Sequence, residues 1–320
     1  MHVNASLNTT LSPFYTKEWY FAPHLQQAGF TVGIFGKHLN DGYTANNPAC
    51  PPIGVDRWFA NGGGTYYGPE FNNATAGGGP PNGARYNNCT YTADGACYST
   101  SVIANETIAW IEGLRTAGDK RPFFAYVAPK APHIEDGNGW PIAQPSPWYN
   151  GSAIFEGRTA PRTPNWNASA PDHHWLVRTQ PPMTDEQRDR SDTLFRARWL
   201  SLLSVDDMVE GLVSAVTTLD EIDSTFFLFT SDHGFQLGQF RMPEGKWNAY
   251  ENDVRIPMVI AGPGIKHGSE FDFIATNVDT MPTVLGLAGI PTPPSMDGRS
   301  YAHLVWWNYI RCWIYCGSGV

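Results

Sequence analysis

Three short apolar runs lead directly into residues that can bind or transfer charge. Thr31 to Phe35 runs into Gly36-Lys37-His38, and Phe123 to Val127 runs into Ala128-Pro129-Lys130-Ala131-Pro132-His133. Thr225 to Phe229 runs into Thr230-Ser231-Asp232-His233-Gly234. A carboxylate beside an imidazole suits a divalent ion, which makes Asp232 and His233 the candidate metal pair. The plainer reading is an aspartate capping the next helix and a histidine bonded to backbone. Lys37 can carry a point charge to a sulfate or phosphate, and His133 can donate a hydrogen bond or a proton. A lone lysine is ordinarily a solvated surface charge; Lys37 and His133 differ because each follows a run expected to be buried. His173-His174-Trp175 could stack against a ligand ring, although a packed loop explains it as simply. In Asp206-Asp207 the two neighbours point different ways on a helix, so Asp206 is read as structural and Asp207 as solvated.

The elements that must position these groups follow from hydrophobic pattern. Thr31 to Phe35, Phe123 to Val127, Thr225 to Phe229 and Met258 to Ala261 read as buried strands. Tyr20 to Gly29 reads as a helix stopped by Gly29, and Ser101 to Arg115 as a second helix. A third starts near Thr184, where Thr184 and Gln187 form a capping box and Asp185 and Glu186 complement the dipole. Leu194, Leu202, Val205, Val209, Leu212 and Val216 continue it to about Leu219, with a break expected around Ser204. Helices leading into apolar strands imply an α/β fold with a largely parallel sheet. Ligands bind outside the carboxyl ends of such strands, so the three clusters should converge. Residues 40–100 and 134–182, rich in aromatics, read as ordered surface loops that shape access to a site.

The chain of 320 residues is 42% hydrophobic and 13% aromatic, enough for a sizeable core. A net charge of −9 argues against a nucleic-acid or anionic-membrane partner while leaving room for a local basic pocket. Glycosylation sequons stand at Asn4, Asn8, Asn73, Asn88, Asn105, Asn150 and Asn167. All precede residue 170, which suggests a secretory glycoprotein, extracellular or lysosomal, with that half at the surface; an Asn- and Thr-rich surface is the bland alternative. Among five cysteines, Cys89 and Cys97 flank an Asp94-Gly95 turn and suit a local disulfide. No signal peptide opens the chain, so its start reads as truncated. The apolar run Leu304 to Cys316 is too short, and interrupted by Arg311, to form a transmembrane segment.

Together these motifs resemble the sulfatase family. The carriers are Thr230 to Gly234, Gly245-Lys246, Tyr250-Glu251, Arg255-Ile256-Pro257 and Gly262-Pro263-Gly264, with Gly36 to Asn40 like the family's lysine motif. Pro122-Phe123-Phe124 with Ala131-Pro132-His133 is similar to its central histidine segment. Ile274 to Leu285 with Met296-Asp297-Gly298-Arg299-Ser300 is similar to the end of its main domain. His174-Trp175-Leu176-Val177-Arg178 and Arg198-Trp199 through Asp206-Asp207 look closest to the N-acetylglucosamine-6-sulfatase and arylsulfatase branch. The resemblance implies an alkaline-phosphatase-like sheet flanked by helices, residues 1–290 forming the main domain and 291–320 opening a C-terminal subdomain or an aberrant tail. It implies hydrolysis of a sulfate ester on a sulfated carbohydrate or an aryl group. Lys37 and Lys246 would hold the sulfate, His133 would sit beside the leaving oxygen, and Asp232 and His233 would bind one Ca2+. His38 and His174 would be further substrate-binding candidates.

The sequence departs from that pattern. The Cys-x-Pro-x-Arg motif, whose cysteine becomes the formylglycine nucleophile, is absent; Cys50-Pro51-Pro52 begins like it but lacks the arginine and follows the lysine motif. The early Asp-Asp pair that completes the metal site is absent, the first acidic residue being Glu18. His38 directly follows Lys37, where many relatives place a histidine one position later. The family's first strand and nucleophile would then precede Met1, and the chain alone should have little or no activity. The alternatives are a phosphatase, phosphodiesterase or phosphonate hydrolase of the same superfamily, and a non-catalytic binder of sulfated glycans.

Overall fold

The computed structural model describes residues 20–38, 51–75, 84–86, 97–135 and 142–305. Its first helix, α1 (Phe21–Gln27), ends at Gly29, whose φ of 90° a residue with a side chain would rarely adopt. It leads into β1 (Thr31–Lys37), which lies parallel to β2 (Arg57–Asn61) on one side and to β5 (Phe123–Ala128) on the other. Outside β2, β3 (Phe71–Thr75) and then β4 (Ala84–Tyr86) add antiparallel strands, giving the order β4-β3-β2-β1-β5. A separate two-stranded antiparallel sheet pairs β6 (Phe227–Thr230) with β7 (Met258–Ala261). The α/β class and the parallel core around β1 are as the sequence implies.

Alternation along the strands builds three layers. Val32 and Ile34 of β1 and Trp58 and Ala60 of β2 face one way, packing with Phe21, Ala22 and Leu25 of α1 and with Leu285 of α6 (Asn277–Leu287). Phe35 and Phe59 face the other way. They meet Val102 and Ile103 of α2 (Ser99–Thr116) and Val205 and Met208 of α4 (Asp185–Thr218). Trp58, Phe59 and Phe35 are fully buried, and truncating a buried Phe such as Phe59 to Ala costs about 3–5 kcal/mol.

The helix α4 begins with the expected capping box: Gln187 N–H donates to Thr184 Oγ1 (3.2 Å) and Thr184 N–H donates to Gln187 Oε1 (2.9 Å). It runs unbroken for 34 residues, about 50 Å. The break expected at Ser204 does not occur, because Ser204 is buried and its hydroxyl donates back to Ser201 O at 2.6 Å within the helix. Two further expectations are corrected. Residues 40–100 are not all loop: β2, β3 and β4 lie there, and β2 is buried on both faces, so it shows no simple alternation. The third strand starts at Phe227, since Ile222–Ser224 forms a 3-10 turn just before it.

One face of the small sheet is closed. Leu228 and Ile260 pack with Leu287, Tyr301, Ala302 and Val305, so residues just beyond 290 join this core. Phe229 and Val259 lie exposed on the ribbon. No helix among the described residues is long and apolar enough to cross a membrane.

Candidate anion-binding site

The site forms where β1, β5 and β6 end. Gly36 has φ +92°, and a Cβ there would stand 2.2 Å from Ala128 O of the neighbouring strand. The glycine therefore lets β1 and β5 stay paired up to Lys37. Past β6, a Cβ on Gly234 would stand 2.0 Å from Asn252 O, so this glycine allows the His233 turn to press against α5 (Glu251–Val254). The Lys246 segment is anchored nearby: Gln236 N–H donates to Gly245 O (2.9 Å), Ser191 Oγ donates to Pro243 O (2.9 Å), and Arg190 Nε meets Glu244 Oε2 at 3.0 Å.

These anchors bring Lys246 Nζ to 3.0 Å from His133 Nε2 and 2.8 Å from His233 Nε2. Each ring's other nitrogen faces a carbonyl, His133 Nδ1 on Ile134 O (2.5 Å) and His233 Nδ1 on Gly234 O (2.8 Å). His133 thus fits the Nδ1–H tautomer, with its Nε2 lone pair turned to the ammonium, whereas His233 Nε2 stands between the ammonium and the Asp232 carboxylate. Asp232 Oδ2 lies 3.2 Å from His233 Nε2, and Asn277 Nδ2 donates to Asp232 O (2.7 Å). The Lys37 side chain runs past Gly63, its charge close enough to act on both His133 and Lys246.

Electrostatics follow this crowding. Burial holds His133 below the ordinary imidazole range; the Ile134 carbonyl opposes the shift, and Lys246, Lys37 and Lys130 add to it. Burial also lowers Lys246, with Asp232 opposing and Lys37 and Arg198 reinforcing. A cluster that depresses its own cations in this way gains by taking up an anion, which relieves their mutual repulsion.

The sequence-derived candidates divide accordingly. Lys37, His133, Asp232, His233 and Lys246 come together. His38 belongs to an aromatic enclosure, with ring centroids of Trp58 at 5.3 Å and Tyr126 at 6.0 Å, and Tyr20 Oη 3.4 Å from its Nε2. Burial there brings its pKa down to about 4. His174 caps α3 (Trp175–Arg178), its Nδ1 accepting from Leu176 N–H at 3.4 Å. Asp207, read as solvated, accepts from Trp148 Nε1 (3.0 Å) and Tyr149 Oη (2.8 Å), fastening the 142–150 segment to α4.

Residues that sequence reasoning missed brace the site. Tyr66 Oη donates to His133 O (2.7 Å), while Glu135 Oε2 accepts Tyr66 N–H (2.8 Å). Arg198 Nη1 donates to Pro132 O (3.2 Å). An aromatic and an arginine far apart in sequence carry no local signal for such contacts.

Asp232 and His233 by themselves do not fit Ca2+. No group of three or more His, Cys, Asp or Glu among the described residues could hold a metal, and Ca2+ takes about six to eight oxygens. The Lys246 ammonium also occupies the Nε2 side of His233.

Of the sequons, Asn105 and Asn150 are exposed. Asn73 accepts from Arg57 Nη1 (2.6 Å) and Asn167 from Met183 N–H (2.8 Å), both half-buried. Asn4, Asn8 and Asn88 lie outside the described residues. Cys97 is disulfide-bonded, and Cys89 lies outside the described residues.

The described residues form a three-layer α/β fold with cationic and imidazole groups gathered at strand ends, an arrangement suited to receiving an anion. The sulfatase family model matches residues 2–290, and the chain belongs to the sulfatase family. It is 33% identical over 276 residues to human N-acetylglucosamine-6-sulfatase, covering 85% of this chain and 46% of that protein. It is 33% identical over 287 residues to the extracellular sulfatase SULF-1 homolog of Drosophila melanogaster, covering 89% and 24%. The chain thus spans less than half the length of these relatives. BT4656, solved in complex with its substrate D-glucosamine-2-N,6-O-disulfate, superposes with a TM-score of 0.64 at 23% identity, over 89% of this chain and 64% of that one. A phosphonate monoester hydrolase from Silicibacter pomeroyi has a TM-score of 0.62 at 19% identity, over 90% and 61%. Both share the alkaline-phosphatase-like fold.

Proposed function

We propose that this chain supplies the sulfate-binding half of a sulfuric ester hydrolase acting on a sulfated carbohydrate. The observation that carries the proposal is the Lys246 ammonium held between the Nε2 atoms of His133 and His233. Lys37 and Lys246 act as the clamp for a sulfate group, binding it and stabilising charge that develops as the S–O bond breaks. His133, once protonated at Nε2, donates to the leaving oxygen, while Lys246 keeps its proton and its charge. The carbohydrate class is supported by the names of the relatives, whose substrates are sulfated glucosamines where stated.

The sequence contains no Cys-x-Pro-x-Arg, so the residues at hand bind and orient but offer no nucleophile of that type. In the family the bound calcium and the formylglycine supply that chemistry. Two donors here are too few for calcium. Exposed Asn105 and Asn150, together with the disulfide at Cys97, support passage through the secretory pathway.

Two measurements test this reading. Calorimetric titration of the purified 320-residue protein with inorganic sulfate should show binding that Lys37→Met or Lys246→Met weakens about tenfold. Aryl-sulfate turnover should be undetectable in the same sample, and should appear when a segment carrying Cys-x-Pro-x-Arg and its aspartates is fused in front and the cysteine is converted. Binding without restored turnover would instead favour a non-catalytic sulfated-glycan binder. Preference for phosphate or phosphonate over sulfate would favour the sister hydrolases.

A further inference from the structure

His133 and His233 come from two different sheets. The strand before His133, β5, pairs with β1, and the strand before His233, β6, pairs with β7. Among the described residues no ladder joins β5 to β6, so backbone pairing does not set the distance between the two imidazoles. Something else must, because both rings lie within 3.0 Å of one ammonium.

We infer that Arg198 is the positioning residue that fixes this separation. It projects from within α4, the long capped helix that packs on α2. Its Nη1 donates to the carbonyl of Pro132, the residue immediately before His133. Its guanidinium carbon sits 4.2 Å from the ring centroid of Phe235, two residues after His233. One planar group thus holds an edge contact to one histidine loop and a face contact to the other. Tyr66 braces the first loop through His133 O but is not seen to reach the second, whereas Arg198 touches both. A lysine could supply the charge but not the flat fork that bonds and stacks together. The relevance of Arg198 to sulfate binding rests on the function proposed above; its grip on the two loops does not.

The test is nitrogen-15 NMR of the histidine rings in the full 320-residue protein, comparing wild type with Arg198→Lys, Arg198→Met and Phe235→Leu. The expected result is that His133 and His233 ring signals both move in the two Arg198 variants, while exposed His174 and His303 stay in place. Phe235→Leu, which alters only the partner on the His233 side, should also move His133, because the displacement is passed through Arg198. It also provides a decision if an Arg198 variant fails to fold. The inference is overturned if Arg198→Lys keeps both rings at their wild-type positions, or if Phe235→Leu leaves His133 unmoved. Titration with inorganic sulfate in parallel should show about tenfold weaker binding for Arg198→Lys, despite the retained charge. A wild-type protein that does not bind sulfate sinks the proposed function, and the ring signals still decide the role of Arg198.

Discussion

Lys246 Nζ stands 3.0 Å from His133 Nε2, with the imidazole turned by its bond to Ile134 O so that its lone pair faces the ammonium. The pair is a donor meeting an acceptor, and it holds His133 neutral while Lys246 is charged. Replacing Lys246 with Met removes one cation that opposes protonation of His133. The His133 pKa should therefore rise part of the way towards 6.5, burial continuing to hold it down. NMR titration of the ring reads this directly; an unchanged or lower value would contradict the pairing.

Burial makes His38 sensitive to acid. Its folded-state pKa of about 4 lies below the unfolded value of 6.5, so the unfolded chain binds the extra proton first. The neutral ring's contribution is present above pH 6.5 and is lost as pH falls from there towards 4, amounting to on the order of 3 kcal/mol. Tyr126, a titratable ring neighbour whose own pKa burial raises, stays uncharged throughout that window. Asp119, lowered to about 2 by Arg121, loses its contribution only at lower pH, so the two effects separate. Urea unfolding of His38→Phe at pH 7 and pH 4.5 should show a smaller acid loss than wild type; equal losses would refute the assignment.

The parts of the site legible in sequence are those that follow apolar strands: Lys37, His133, Asp232 and His233 each sit just after a run whose burial pattern is local. Lys246 was not legible from its own surroundings, since no strand precedes it. It is carried by a loop tied down by Gln236 nearby and by Arg190 and Ser191, whose contacts span 54 and 52 residues of chain. The same distinction governs the fold. Thr184 and Gln187 announce the start of α4 within four residues, whereas β2 is defined by what covers both its faces. The resemblance offered His38 as a further candidate, but what surrounds its ring, Trp58 and Tyr126 from other strands, is set by packing that no local pattern displays.

The Arg190–Glu244 pair links α4 to the Lys246 loop, with Arg190 buried and Glu244 partly open to solvent. Removing a buried charged partner strands the other group, yet Glu244 can still turn to water, so the cost is moderate. Arg190→Met should lower stability by about 2 kcal/mol. It should also weaken sulfate binding through displacement of Lys246, whereas Glu221→Gln, at the remote Arg115–Glu221 pair, should change stability without touching sulfate affinity. Denaturant melts and sulfate titrations of both variants separate local anchoring from general destabilisation; equal sulfate affinity in Arg190→Met would show that the loop holds without it.

Trp247 follows Lys246, the lysine proposed to clamp sulfate, and is 85% exposed, an unusual position for so large an apolar ring. Its indole is free to lie against one face of a sugar whose sulfate sits on Lys246. Stacking of this kind is worth about 0.5–1.5 kcal/mol, or roughly a 2- to 12-fold change in affinity. Trp247→Ala should therefore weaken binding of a glucosamine sulfate within that range while leaving inorganic sulfate unaffected, because only the sugar reaches the ring. The comparison isolates the two halves of the ligand: loss of both affinities together would mean that Trp247 supports the loop and not the sugar. Loss of neither would place the carbohydrate on another side of the site.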